Sequence, residues 1–554
     1  FTVVSEKDNG FSATNAGTAT KLGLDMKDMA APYSVMTGEF LEALGINNLQ
    51  EAVLWSTSGS PVIDGQGADQ FNAPVMYNVR GALQNVGQQR NFFTTASIGD
   101  TYNTERIDFG RGPNAVLFNT GASDVLGGGI SSTTKRARFD RDAETIAFTT
   151  GSWDYYRSTL DVNRRLTDKV AVRANGVWQD KGGWMREQFE KIKGVTLTGT
   201  YRISDKSELR IEGENTKIMR TNPTYPPLDQ ISGWDGKTVF NGPLSNAQVS
   251  STATPGPTYG LTFNGEPQGI ERYGTDYVYV PGEGAIMNWT NMARTRRADS
   301  TNRVPLYSGG QMWTRDGNAL LLPFGNTSSS NTTPGQQDNG TNNGPTIAYS
   351  TWLPGDRFDR VIANSKFRLP DKRFTNSPSD PLFTQWTKDV IMYGPHRCSD
   401  TLYFEFMADY NKVHNRVVNN INGFRTTVID LNQSLPDGTP NPHFLDPYGE
   451  GQERIKHFYI DNAQARAVVN YIKDLGKWGS YTFNLSASVI ARETDGRQGV
   501  ASIATAADPR EWQGQAISIR NYWNNPNRTF LPAGGLPTSF FDRTLAADGT
   551  TAST

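Results

Sequence analysis

The chain has 554 residues, with 54 Lys and Arg against 56 Asp and Glu for a formal charge of -2, 55 Gly, 29 Pro, an aromatic fraction of 11% and one Cys. A near-neutral chain has no overall field to hold a polyanion, so nucleic acid is not an expected partner. One Cys excludes a disulfide framework and any multi-thiolate metal site.

No stretch approaches the roughly 18 consecutive apolar residues of a transmembrane helix. Mean hydropathy is -0.55, which suits a soluble protein and equally a membrane β-barrel, whose strands alternate apolar and polar residues. Phe1 is not preceded by a charged-then-apolar leader, which fits either a cytoplasmic protein or a mature chain whose signal peptide has been removed.

In chain order, Thr37–Leu44 and Leu49–Leu54 read as two short helices, with Phe40, Leu41 and Leu44 on one face and Asn47 or Asn48 as N-cap of the second. Gly-rich sequence with short strands follows: Val75–Arg80, Arg106–Gly110, Ala115–Phe118 and Ile130–Thr134. From Ala143 the pattern turns to period two. Val170, Val172, Ala174, Gly176 and Trp178 share one face, and Ala171, Arg173, Asn175, Val177 and Gln179 the other. Such segments fall at 144–151, 155–165, 169–180, 192–203, 207–217, 385–396, 401–412, 462–473 and 480–492, each near the length of about ten residues that a tilted strand needs to cross a bilayer.

The connections are unequal. Leu166–Lys169, Ser204–Ser207, Cys398–Asp400 and Leu475–Trp478 are short turns, whereas Ile218 to about Pro381 is one long insertion. Short turns at one rim and long loops at the other is the asymmetry of an outer-membrane barrel. Nine crossings are an odd number and leave an open edge, costly in lipid, so the natural chain is expected to continue beyond Thr554.

The long insertion carries Trp234, Trp289, Trp313 and Trp352 with Tyr225, Tyr259, Tyr273, Tyr277, Tyr279 and Tyr307. These rings either stack on a sugar, a catechol or a peptide, or pack a compact loop cap. Thr327–Asn343 has no apolar content to bury. His396, His414, His443 and His457 lack the i, i+4 spacing of a helical metal site, and Cys398 sits in a turn. No nucleophile elbow or phosphate loop is present, and Glu212 with Glu214 fits a lumen-facing strand better than acid–base chemistry. The reading is therefore of no enzyme, no catalytic residues, no metal and no cofactor.

An ordered set of elements is more specific. Asn78–Gly81, then Glu105–Pro113 as E-R-I-D-F-G-R-G-P, then Ala115–Arg136 with Gly127-Gly128-Gly129-Ile130 and Thr134-Lys135-Arg136 together resemble the plug domain of TonB-dependent outer-membrane receptors. Departures fall at turns, where Phe118-Asn119 replaces Tyr-Gly and Ser131-Ser132 replaces the common Asn-Xaa.

The resemblance implies a 22-stranded membrane β-barrel, incomplete in this chain, with an N-terminal α+β plug domain in the lumen. It divides the chain into an extension at 1–14, a plug at 15–141 and a barrel at 142–554 with about nine strands and long extracellular loops. It implies energy-coupled import of a scarce nutrient, a ferric siderophore first and a glycan or peptide next; a surface-binding scaffold without transport is the rival of another class. Partners would be the TonB energy-transducing complex, outer-membrane lipid and the nutrient ligand. Phe1, Thr2, Val3, Val4 and Ser5 are either the segment that pairs with TonB by strand addition or a terminus left by processing. Arg80, Glu105 and Arg111 are expected as plug–barrel ion pairs. Gln88, Gln89, Arg90, Asn91, Phe92 and Phe93 are expected to bind the ligand, whether an anionic iron chelate, an oligosaccharide or a peptide, or else merely to pack their loop.

Overall fold

The computed structural model describes residues 10–11, 13, 33–57, 59–61, 77–79, 82–84, 88–97, 99–111, 128–185, 188–221, 228–229, 258–263, 266–272, 277–280, 282–287, 293–297, 303–304, 307–308, 311–313, 319–320, 382–420, 426–429, 440–444, 446–500, 503–504, 518–522 and 545–546. Phe1–Ser5, Arg80, Ala115–Phe118, Thr327–Asn343, Trp234, Trp289, Trp352, Tyr225 and Tyr273 lie outside the described residues.

The N-terminal region begins with β1 (Tyr33–Thr37), α1 (Gly38–Ala43) and α2 (Leu49–Leu54). Both helices start where a side chain satisfies an end amide that has no partner inside the helix. Thr37 accepts from Phe40 N at 3.2 Å and Asn48 from Glu51 N at 2.9 Å, so Asn48 is the cap of the second helix. Glu51 reaches back to Asn47 N at 2.7 Å and closes the turn. A five-stranded sheet follows from β2 (Gln88–Arg90), β3 (Phe93–Thr94), β4 (Thr104–Arg111) and β5 (Gly128–Thr134), in the order β1-β4-β5-β2-β3 with β2 and β5 parallel. Ile107, Ile130, Ala52 and Val53 are fully buried between this sheet and the helices.

Beside other described strands that form small sheets of their own, nine later strands build one long run of consecutive antiparallel neighbours. They are β6 (Ala143–Gly151), β7 (Tyr155–Arg165), β8 (Val170–Gly182), β9 (Phe189–Ser204), β10 (Ser207–Thr221), β11 (Leu382–Arg397), β12 (Leu402–Asn420), β13 (Pro447–Asp474) and β14 (Ser480–Val500). Each alternating segment of the sequence forms a strand, and β13 starts well before the residue 462 that alternation marked. The sheet is not closed: among the described residues β6 pairs only with β7, and the whole length of β14 only with β13. No helix of the described residues is long and apolar enough to cross a membrane.

The two faces of the sheet are opposite in character. The face covered by the N-terminal region buries Thr196, Thr198, Glu212, Glu214, Gln385, Thr387, Asp389, Asp409, Asn415 and Gln464. The other face exposes Phe148 at 82%, Leu197 at 61% and Leu485 at 72%, with Ile146, Val195, Ile211, Val390, Phe404, Phe406 and Phe483. Water-soluble proteins rarely expose a contiguous apolar surface of more than a few hundred Å². Polar inside and apolar outside is the alternation of a sheet whose outer solvent is lipid.

Candidate functional site between the N-terminal region and the sheet

The apolar core of the N-terminal region runs on into the sheet, where Val177, Ile192, Ile218, Phe383 and Val417 join Met36, Leu41, Ile107 and Ile130 in one buried cluster. Close approach is permitted at Gly194, where an added Cβ would lie 3.1 Å from Val177 Cγ1 and 3.2 Å from the hydroxyl of Tyr102.

Around this core lies a layer of buried polar contacts. The β2–β3 hairpin turns at Asn91 and Phe92, and β2 is positioned by its parallel pairing with β5. At the end of β2, Arg90 is hydrogen-bonded and ion-paired to Glu214, with Glu212 at 3.8 Å and Asp389 at 3.9 Å. Burial by itself lowers the pKa of the Arg90 guanidinium, but the carboxylates of Glu214, Asp389 and Glu212 outweigh it and raise the pKa. Arg90 therefore stays charged. Asn103 donates to Glu214 at 2.9 Å and to Thr196 at 2.8 Å. Tyr102 meets Thr196 at 2.7 Å, and its phenol is pushed up by burial and by the Glu214 charge, so it stays protonated.

Asp100 has two tasks. It caps the short turn at Thr101–Asn103 by accepting from Tyr102 N at 2.8 Å, and it takes both ends of the Arg157 guanidinium at 2.6 and 2.8 Å. Such two-point contacts fix orientation as well as distance. Gln464 mimics a strand neighbour, accepting from Thr94 N at 3.1 Å and donating to Thr94 O at 2.9 Å. Thr134 donates to Glu212 at 2.9 Å, and Lys135 pairs with Asp161 at 3.0 Å.

Of the residues singled out by sequence, Glu105 lies 3.6 Å from Arg173 of β8, which is held mainly by Asp161 at 2.7 Å. Only the backbone of Arg111 and Gln88 is described; they pair with Gly128 and Ile130. Gln89 and Asn91 are buried, and Asn91 exchanges hydrogen bonds with Thr134 at 2.8 and 3.0 Å. Phe93 packs with Ile391 and Met407. The charge of Arg90 is thus taken up by carboxylates of the sheet. The partners Glu214, Asp389, Arg157 and Asp100 were not singled out in the sequence as contacts; their signal was the polar member of each alternating pair, but nothing local says which polar residue meets which.

At the tip of the hairpin Asn91 and Phe92 both border open space, and Phe92 is the less buried of the two. It lines a cavity of about 320 Å³ together with Arg136, Phe139, Arg210, Tyr393 and Glu405, a volume at the small end of ligand pockets. Glu208 and Pro395, which flank the short turns, also line it, so the cavity lies on the short-turn side of the sheet. His414 and His457 approach to 3.0 Å in a stack with Trp386 and Tyr459, and His443 bonds Glu283 at 2.8 Å and stacks on Tyr522. Among the described residues no group of three or more His, Cys, Asp or Glu is placed to hold a metal ion.

No protein-family model matches the chain. It is 28% identical over 203 residues to the ferripyoverdine receptor of Pseudomonas aeruginosa, 35% of this chain and 24% of that protein. It is 27% identical over 212 residues to the metal-pseudopaline receptor of the same species, 37% of this chain and 28% of that protein. The catecholate siderophore receptor Fiu of Escherichia coli matches at 25% over 175 residues, 31% of this chain and 22% of that protein. The matches thus cover between about a fifth and 28% of the relatives' lengths. The crystal structure of the ferric preacinetobactin receptor of Acinetobacter baumannii aligns over 92% of this chain and 57% of that one, at 12% identity and a TM-score of 0.48. The sequence matches bear out the resemblance to TonB-dependent receptors, and with it the outer-membrane location.

Proposed function

We propose that this chain is the plug and the first part of the barrel of a TonB-dependent outer-membrane transporter that imports a ferric siderophore by energy-coupled movement of the plug. The observation that carries the reading is the sheet face of buried carboxylates completed by the N-terminal region, above all Glu214, Glu212 and Asp389 around Arg90. Such a face left without its cover would be a water-filled wall; covered, it is a lumen held shut by polar contacts. Polar contacts suit a part that has to move. They hold geometry firmly, yet water can replace each of them when the part shifts, whereas a wholly apolar seal would resist displacement.

The 22-stranded closure, the plug at 15–141 and the barrel from 142 belong to the same proposal. So does the ligand, which would be held against the hairpin Gln88, Gln89, Arg90, Asn91, Phe92 and Phe93, with Arg90 anchoring the hairpin and Phe92 offering its ring. Glu105, and with it Arg80 and Arg111, would serve as plug–barrel ion pairs. The relatives' printed names favour a metal chelate over a glycan or peptide, since they cover ferripyoverdine, metal-pseudopaline and catecholate siderophores. No enzymatic step is assigned.

Energy at the outer membrane has to come from elsewhere, and Phe1–Ser5 is the segment we assign to pairing with TonB by strand addition. Deleting residues 1–5 is expected to abolish uptake of a radiolabelled ferric siderophore while leaving its binding to cells intact. Unchanged uptake in that variant contradicts the assignment.

A further inference from the structure

Two local anomalies meet at one place. Asn91 and Phe92 both have positive φ, 48° and 69°, the geometry of a two-residue hairpin turn whose second position favours glycine. A large side chain there is strained, and such strain persists only where the surroundings impose it. The ring that this turn presents lies under Arg466 of β13, with the guanidinium carbon 4.9 Å from the ring centroid. Arg466 is 5% exposed, and among the described residues no hydrogen bond reaches its Nε or either terminal nitrogen.

A buried guanidinium with no hydrogen bond and no contacting carboxylate among the described residues is a largely desolvated cation. The ring face answers only part of that demand. The acid whose charge reaches it is Glu405, which instead accepts from the Tyr393 hydroxyl at 3.2 Å. Beside Arg466 is a void of about 20 Å³, lined also by Gln89, Thr94 and Ser488, which is room for about one water-sized atom. Phe92 lines both this void and the 320 Å³ cavity, so its ring borders the space beside Arg466 and also a ligand-sized space.

We propose that Arg466 is an oxyanion acceptor that Phe92 covers. When the hairpin tip turns away, an anionic oxygen pair of a ligand in the cavity replaces the ring on the guanidinium fork. The chemistry it selects is a carboxylate, hydroxamate or catecholate group, whose paired oxygens match two parallel N–H donors. Because the cavity is on the short-turn side, this is a station that cargo would reach after passing the hairpin. Only the identity of that cargo as a metal chelate rests on the import reading; acceptance of an oxyanion does not.

The test uses the full receptor purified from outer membranes, with oxalate as probe and chloride at matched ionic strength as control, read by titration calorimetry. Phe92→Gly, which removes the cover and relieves the turn, is expected to bind oxalate at least tenfold more tightly than the natural chain. Phe92→Leu, which keeps a cover, is expected not to gain. Adding Arg466→Gln to Phe92→Gly is expected to remove the gain, and Arg466→Lys in the same background to keep part of it. Equal oxalate affinity in the natural chain and Phe92→Gly overturns the proposal, even if the Arg466 variants fail to fold. So does a gain that survives Arg466→Gln. Absence of siderophore import by the natural chain, with these oxalate results intact, would count against the import reading alone.

Discussion

Replacing Arg90 with Met removes a cation that lies among three buried carboxylates. Its side chain is 9% exposed, against 5%, 2% and 5% for those of Glu214, Glu212 and Asp389. Breaking a buried pair by deleting one partner costs about 3–5 kcal/mol. The lower end applies here, because Glu214 keeps Asn103 at 2.9 Å and Thr216 at 2.8 Å, and Glu212 keeps Arg210 and Thr134. Asp389 fares worse: its Oδ1 has no hydrogen-bond partner among the described residues. The expected loss is therefore about 3 kcal/mol, confined to the N-terminal region. It is read as faster hydrogen exchange over residues 88–111 and as a lower urea midpoint for that region. Glu214→Gln reverses sign with background. In the natural chain it removes the nearest carboxylate of Arg90, leaving Glu212 at 3.8 Å and Asp389 at 3.9 Å, and destabilises; in Arg90→Met it removes a charge left without that cation and restores stability, giving a coupling of roughly 2 kcal/mol. A loss below about 1 kcal/mol for Arg90→Met, or the same effect of Glu214→Gln in both backgrounds, would refute the reasoning.

Two other substitutions probe different links of the account. Asn48→Ala deletes the cap bond to Glu51 N, 2.9 Å long, and is expected to cost about 1 kcal/mol, seen as selective loss of exchange protection in α2. Leu197→Arg, at a site 61% exposed on the apolar face, should cost about 2–4 kcal/mol when the protein is folded in lipid bilayers; a change within about 0.5 kcal/mol, as at a water-facing site, contradicts a lipid-facing surface.

The strands were legible because the pleat fixes a two-residue period whatever the partner. Their extents were not. Residues 447–461 of β13, with Gly449, Gly451 and a run of charged side chains, lack a clean alternation; they are strand because β12 and β14 pair along 453–461 and 454–461, and because Thr426–Ile429 and Ser518–Tyr522 pair along 447–452. The start of the second helix is legible through Asn48, whose short polar side chain acts within three residues, whereas Thr37, read as the first residue of the other helix, is its cap and the end of β1.

The candidate site was less so. Arg90 was singled out as a cation for a ligand, yet its partner Glu214 is 124 residues away, and no local signal connects them. Glu105 and Arg173 show the same gap between residue type and pairing. The hairpin itself was hidden, because Asn91-Phe92 lacks the glycine that marks such turns. Arg466 carries no signal in the sequence beyond being a polar residue of a strand, since its lack of a hydrogen bond among the described residues exists only in three dimensions.

Energy-coupled import is tested by uptake of radiolabelled ferric siderophore into cells whose only receptor is this one, with and without a collapsed proton gradient. Uncoupling is expected to stop accumulation while cell-surface binding persists. Accumulation that ignores the gradient, or binding that never leads to accumulation, would contradict energy-coupled import.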